Sequence, residues 1–256
     1  MFHEFIEILI LSIIQGISEF LPVSSSAHLI LVSHFYDFKA SSLLVDISLH
    51  LGSLFAILFY FRRDLLDIRN NRKFLMLMIV GSIPLIFFGY LLYTTEIIYV
   101  LRDIKIIAWS TLFFGIILYF ADQRKIEKNI STNLNIKSIL FIGLFQILAL
   151  IPGVSRAGIT LTAARFLKFN RVDSAKISFL LSVPVLLVIS LYGFYNLHEI
   201  ENISIKQINF IAILLSGVFS YFTIVFFLKF LKRFDLIVFV IYRIILGFVL
   251  LCFSYL

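Results

Sequence analysis

The sequence predicts an all-α integral membrane protein, with six full transmembrane spans and two re-entrant broken-helix pairs in an inverted-topology repeat. Three observations carry that prediction. Charge is scarce, six long runs are apolar, and two further apolar stretches are each broken at a proline by small polar residues. Only 14% of the 256 residues are charged, against 61% hydrophobic, and the mean hydropathy is +1.04. A soluble domain carries about 25% charged residues, so this chain lacks the charge to cover a water-facing surface.

In chain order, residues 5–36 come first, broken by "LPVSSS". Apolar runs at 42–61, 74–93 and 104–121 follow, each long enough for the ~30 Å hydrocarbon core at ~1.5 Å per residue. The stretch 137–168 is broken by "IPGVSR". Its uninterrupted part, from Ser138 to Ile151, reaches only about 21 Å as a helix. Spans at 174–195, 207–230 and 236–255 complete the chain. The order is broken pair, three spans, broken pair, three spans. Pro22 and Pro152, Ser25 and Ser155, and Ala27 and Ala157 each lie 130 residues apart. An odd number of crossings per half turns the second half upside down relative to the first, a plan shared with many transporters. Residues 1–256 form a single membrane domain under this reading, with pseudo-repeats at 1–121 and 137–256.

Charge tests the topology independently. The loops 62–73, 122–137, 165–173 and 229–235, with Lys176 at their edge, hold sixteen Lys and Arg residues. The opposite side holds four: Lys39, Arg102, Lys105 and Lys206. The positive-inside rule puts the sixteen in the cytoplasm, and both termini and the first broken pair on the outer side. It also accounts for the net charge of +7 without a nucleic-acid partner. The lone Cys252 excludes an intramolecular disulfide and a thiolate metal cluster. The triplets "NIS" at 129–131 and 202–204 match a glycosylation acceptor only weakly.

Irregular backbone at membrane depth survives only where protein buries it or a wet cavity borders it. Pro22 is expected to end one half-helix, with Ser24 or Ser25 capping the next; Pro152-Gly153 and Ser155 repeat the pattern. Two helix N-termini then face the centre of the protein and favour an anion. Arg156 beside the second break suits phosphate oxygens, and Ser155 and Thr160 add hydroxyls. Gln15 and Glu19 share a helix face, as do Ser25 and His28. A carboxylate in such a cationic pocket serves to hold a divalent cation or to take a proton from a nucleophile. Hydrolysis of a phosphate ester or anhydride on a membrane-embedded substrate is the chemistry suggested. The structural alternative is a Glu19–Arg156 ion pair that only staples the halves, with serines that only pack helices. Arg243, inside the last span, is either a second phosphate clamp or a pairing residue. Asp46 and His50 line the outer mouth or solvate at the interface.

"QGISEFLPVSSSAH" and "PGVSRAGIT" resemble the two signatures of the undecaprenyl-diphosphate phosphatases of the BacA type. "HLGSLFAILFYF" and "SFLLSVPVLL" extend the resemblance over nearly the whole chain. It implies removal of the terminal phosphate of undecaprenyl diphosphate, which recycles the lipid carrier of cell-wall synthesis. It implies bacitracin resistance, the antibiotic competing for the polyprenyl diphosphate rather than binding the protein. A divalent cation, magnesium or calcium, a bacterial inner-membrane location with an outward-opening site, and a homodimer belong to the same expectation. Carried over by motif, Glu19 and Gln15 are the metal or acid pair, and Ser25 and His28 are alternative nucleophiles. Ser155, Arg156 and Thr160 bind the diphosphate by the same carry-over, and Ser24 in the first break and Arg243 in the last span join them as diphosphate-binding candidates by position. Gln15 stands where the pattern also accepts glutamate, and Ala157 stands where serine is usual. A flippase of the monophosphate carrier is the competing expectation, since the inverted repeat is a transport architecture.

Overall fold

The computed structural model describes residues 2–36, 38, 42–200 and 207–255. Lys39, Lys206 and the second "NIS" triplet lie outside them. The helices are α1 (Phe2–Ser18), α2 (Ser25–Phe35), α3 (Leu43–Tyr60), α4 (Arg62–Leu66), α5 (Ile68–Thr94), α6 (Ile97–Val100) and α7 (Ile104–Asp122). The second half contains α8 (Ile130–Asn133), α9 (Ile136–Gln146), which runs into a 3-10 turn at Ile147–Leu150, α10 (Arg156–Phe166), α11 (Arg171–Ile200), α12 (Gln207–Phe230) and α13 (Ile237–Tyr255). Among the described residues no strand forms, apart from a single bridge between Lys128 and Phe169.

Six helices are long and apolar enough to cross a membrane: the stretches Leu43–Tyr60, Asn71–Thr94, Ile104–Asp122, Arg171–Gly193, Gln207–Phe230 and Ile237–Tyr255. They coincide with the six predicted spans. The protein is a multi-pass, all-α membrane protein. Two helix–break–helix units occur where the prolines predict them. At 11 residues each, α2 and α10 reach only about 17 Å.

Lipid is as apolar as leucine, so these helices associate through close backbone approach and interhelical hydrogen bonds. Gly52 of α3 lies against α12, and a Cβ there would sit 2.3 Å from the Ile213 carbonyl oxygen. Ser53 Oγ meets Ser220 Oγ at 2.9 Å across the same seam, and Ser216 Oγ donates to the Leu49 carbonyl at 2.7 Å. In the other half Gly143 of α9 packs on Gly81 of α5 in the same manner. The main apolar core joins both halves around Phe20, Ile57, Ile139, Phe179 and Phe227.

The basic end of the bundle is tied by one carboxylate. Asp122, at the end of α7, accepts from Arg165 Nε at 3.3 Å and from Arg171 Nε and Nη2 at 2.8 and 3.0 Å. It also accepts from the Leu236 amide at 3.1 Å. The ends of α7 and α10 and the starts of α11 and α13 meet there, at the end opposite the predicted outer mouth.

Candidate active site

Both breaks turn on a serine in the left-handed region. Ser24 (φ 78°) and Ser155 (φ 70°) are the N-caps of α2 and α10. Their Oγ atoms accept from Ala27 N at 3.4 Å and Gly158 N at 3.0 Å. The matching caps are residues 24 and 155, 131 positions apart, so Val23-Ser24 answers Val154-Ser155. This corrects the offset of 130 read from the prolines, and it pairs Ser25 with Arg156. A positive φ on a residue with a side chain costs about 1–3 kcal/mol and persists only where its surroundings hold it.

Arg243 of α13 supplies that hold. It is fully buried, and four hydrogen bonds go to carbonyls: Nε to Thr111 (3.2 Å), Nη1 to Pro22 (3.3 Å) and Val154 (2.9 Å), and Nη2 to Gly153 (2.9 Å). The two breaks also touch directly, Gly153 N donating to Ser24 Oγ at 3.3 Å. Gly153 has φ 94°, and a Cβ there would lie 2.1 Å from Ser110 Oγ, so only glycine fits.

On this scaffold sits Glu19, just past the end of α1 and 7% exposed. One oxygen accepts from Arg156 Nη2 at 2.5 Å; the other accepts from Ser25 Oγ at 2.6 Å and from Gln15 Nε2 at 3.1 Å. Three donors converge on a group that only accepts when ionised, so the arrangement suits a carboxylate. Arg156 keeps 12% of its side chain exposed and donates through Nη1 to the Ser178 carbonyl at 3.4 Å. The caps take up only one first-turn N–H each in α2 and α10, and the bond from Gly153 N to Ser24 Oγ links the two helix starts.

The structure thus joins Gln15, Glu19, Ser25 and Arg156 in one network. It places the other predicted residues differently. Ser24 and Ser155 are buried and spend their hydroxyls as caps. Thr160 is fully buried; its hydroxyl donates to the Arg156 carbonyl at 2.8 Å and meets Ser178 Oγ at 2.7 Å. Thr160 and Arg243 differ from the expectation of direct diphosphate ligands, because their donors are already bonded within the protein. His28 makes no bond to Ser25 or Glu19. Its Nδ1 lies 2.6 Å from the Ser24 carbonyl oxygen and its Nε2 2.5 Å from the Tyr242 hydroxyl. His50 Nδ1 donates to the Asp46 carbonyl at 2.8 Å. Sequence reasoning missed Tyr242 and Ser178. The only available signal for Tyr242 was its place beside the intramembrane Arg243.

No group of three or more His, Cys, Asp or Glu side chains suited to a metal occurs among the described residues. The donor set nevertheless fits a hard cation that arrives with a diphosphate. Gln15 Oε1 is buried without a donor, and Glu19 and Ser25 supply adjacent oxygens. Magnesium is commonly held by one or two carboxylates plus substrate phosphates.

Comparison with known proteins bears on this geometry. The family model described as "Bacitracin resistance protein BacA" matches residues 8–249. A protein of Pelagibacter ubique named undecaprenyl-diphosphatase is 57% identical over the full length of both chains. Proteins with the same name from Campylobacter concisus and Saccharophagus degradans are 42% and 39% identical, covering 95% and 93% of this chain and 97% and 93% of their own.

Proposed function

The chain belongs to the BacA family, and we propose that it hydrolyses undecaprenyl diphosphate to undecaprenyl phosphate and inorganic phosphate through Ser25. The observation that carries the assignment of Ser25 is its Oγ at 2.6 Å from Glu19, a carboxylate whose second oxygen is held by Arg156.

In this reading Glu19 takes the Ser25 proton as Oγ attacks the terminal phosphorus. The bond from that phosphorus to the bridging oxygen breaks, and undecaprenyl phosphate leaves with the bridging oxygen and the proton that Glu19 took, which restores the carboxylate. Water then attacks the phosphoserine, releasing inorganic phosphate and restoring the hydroxyl, with Glu19 receiving and returning the proton. Arg156 and the open N-termini of α2 and α10 stabilise the charge that develops on the phosphoryl oxygens. Ser24, Ser155, Thr160 and Arg243 hold the two breaks in place for this. A divalent cation, magnesium or calcium, bound by Gln15 and Glu19 would supply further neutralisation of the diphosphate.

The concentration of basic residues at the Asp122 end supports an inner-membrane orientation with that end in the cytoplasm. The two broken pairs then enter and leave the bilayer on opposite sides, and the site opens outward. The relatives are named as diphosphatases, which does not favour the flippase reading. The test is phosphate release from undecaprenyl diphosphate by purified protein in detergent, with and without EDTA. Release that falls with EDTA and returns with magnesium or calcium is expected. Release unaffected by chelation removes the cation; absence of release from folded protein removes the hydrolase.

A further inference from the structure

His28 is one of the two nucleophile candidates in the sequence, yet both of its ring nitrogens are engaged away from Ser25. Nδ1 lies 2.6 Å from the Ser24 carbonyl oxygen, which can only accept, so Nδ1 carries a proton. In the neutral ring Nε2 is then bare, and the Tyr242 hydroxyl donates to it at 2.5 Å. The rings stack with centroids 5.8 Å apart and planes 11° apart, so the tyrosine restrains the imidazole by contact as well as by bonding.

The chain of contacts ends at the nucleophile. Ser24 precedes Ser25, holds a positive φ, caps α2 and receives the Gly153 amide. Its carbonyl orientation is therefore the orientation of the peptide that carries Ser25. Next to Tyr242, Arg243 holds the Pro22 carbonyl on the other flank of the same break. Two successive residues of α13 thus grip the first break on both sides of Ser24.

We infer that Tyr242 is a positioning residue for the hydrolysis, fixing the His28 tautomer so that His28 holds the Ser24–Ser25 peptide and aims Ser25 at Glu19. His28 in this arrangement serves the nucleophile without being one. The inference rests on the serine reading of the reaction.

The test combines kinetics with a tautomer measurement. Tyr242→Phe keeps the ring and removes the O–H. It is expected to lower kcat about 3- to 10-fold, the worth of one neutral hydrogen bond, with KM and the thermal midpoint near those of the native protein. The same change made in His28→Ala is expected to cost nothing further. An equal loss in both backgrounds, an effect on KM alone, or an unchanged kcat would each overturn the inference. Nitrogen-15 spectra of histidine-labelled native protein without substrate should show His28 protonated at Nδ1 and bare at Nε2. The reverse tautomer overturns the inference even if Tyr242→Phe does not fold. Failure of the native protein to release phosphate would instead refute the hydrolase reading, and the spectra would still report the arrangement of His28.

Discussion

The two breaks share a backbone plan and differ in what they carry. Each turns on a Val-Ser pair, with the serine at positive φ capping an 11-residue helix. Nine residues before each cap stands a buried glutamine, Gln15 or Gln146. Four residues further on the halves diverge, with Glu19 in the first and Leu150 in the second. Gln15 donates to Glu19, whereas Gln146 is left with neither Oε1 nor Nε2 bonded. One position past the cap they diverge again, Ser25 against Arg156. In the proposed reaction the first break supplies the base and the nucleophile, and the second supplies the guanidinium that faces them. A duplicated scaffold thus becomes an asymmetric site through two substitutions, each placing a group where the other half lacks one.

The largest effect is expected at the first divergence, Glu19 against Leu150. Glu19→Gln keeps the shape and removes the base, and kcat should fall about 10²- to 10⁴-fold, the usual worth of a general base. Leu150→Ala at the matching position should leave kcat near the native value. Comparable losses in phosphate-release assays would show that the halves are not divided in this way. Next, Arg156→Lys keeps the charge and loses the planar fork. Losing one charge-assisted hydrogen bond of about 1.5–3 kcal/mol predicts a drop in kcat/KM of roughly 10- to 150-fold. A lysine variant with native kcat/KM would reduce Arg156 to a point charge.

How far all this was legible in the sequence differs from residue to residue. The six spans were readable because a lipid-facing helix must be apolar along its length. The breaks were readable because proline and small polar residues have few other uses at membrane depth. The register between the halves was misread by one, because the prolines are not equivalent; the residues that share a backbone conformation are Ser24 and Ser155. Glu19 and Arg156 stood out because an intramembrane ionisable group needs a reason, and Ser25 because it lies in the serine-rich break three residues before His28. The sequence left Arg243 as either a phosphate clamp or a pairing residue and did not show the bonded state of Thr160, since a donor's type does not disclose which carbonyl already occupies it. Tyr242 meets His28 across 214 positions, which no local pattern announces.

Smaller effects are expected at the caps and the glutamines. Ser155→Ala removes only a cap and should cost about 1 kcal/mol in thermal or denaturant unfolding. Ser24→Ala removes a cap and the acceptor of the Gly153 amide, and should cost more and lower kcat as well. Equal costs would mean that the contact between the breaks carries no stability. The smallest effect is expected at Gln146. Replacing its unpaired amide in Gln146→Leu should leave stability unchanged or raise it by about 1 kcal/mol, since a buried polar group without a partner is a cost. Gln15→Leu should instead raise the cation concentration needed for half-maximal phosphate release. Matching behaviour of the two variants would remove the distinction between the glutamines.

In the proposed reaction the first break carries the nucleophile, at Ser25. The most direct measurement is the residue that becomes phosphorylated when the protein is mixed rapidly with undecaprenyl diphosphate, quenched, and mapped by peptide mass spectrometry. Quenching and digestion at both acidic and basic pH would preserve phosphoserine and phosphohistidine alike. Phosphate on Ser25, absent in Ser25→Ala and still formed slowly in His28→Ala, is the predicted result. Phosphate on His28, persisting in Ser25→Ala, would contradict the account.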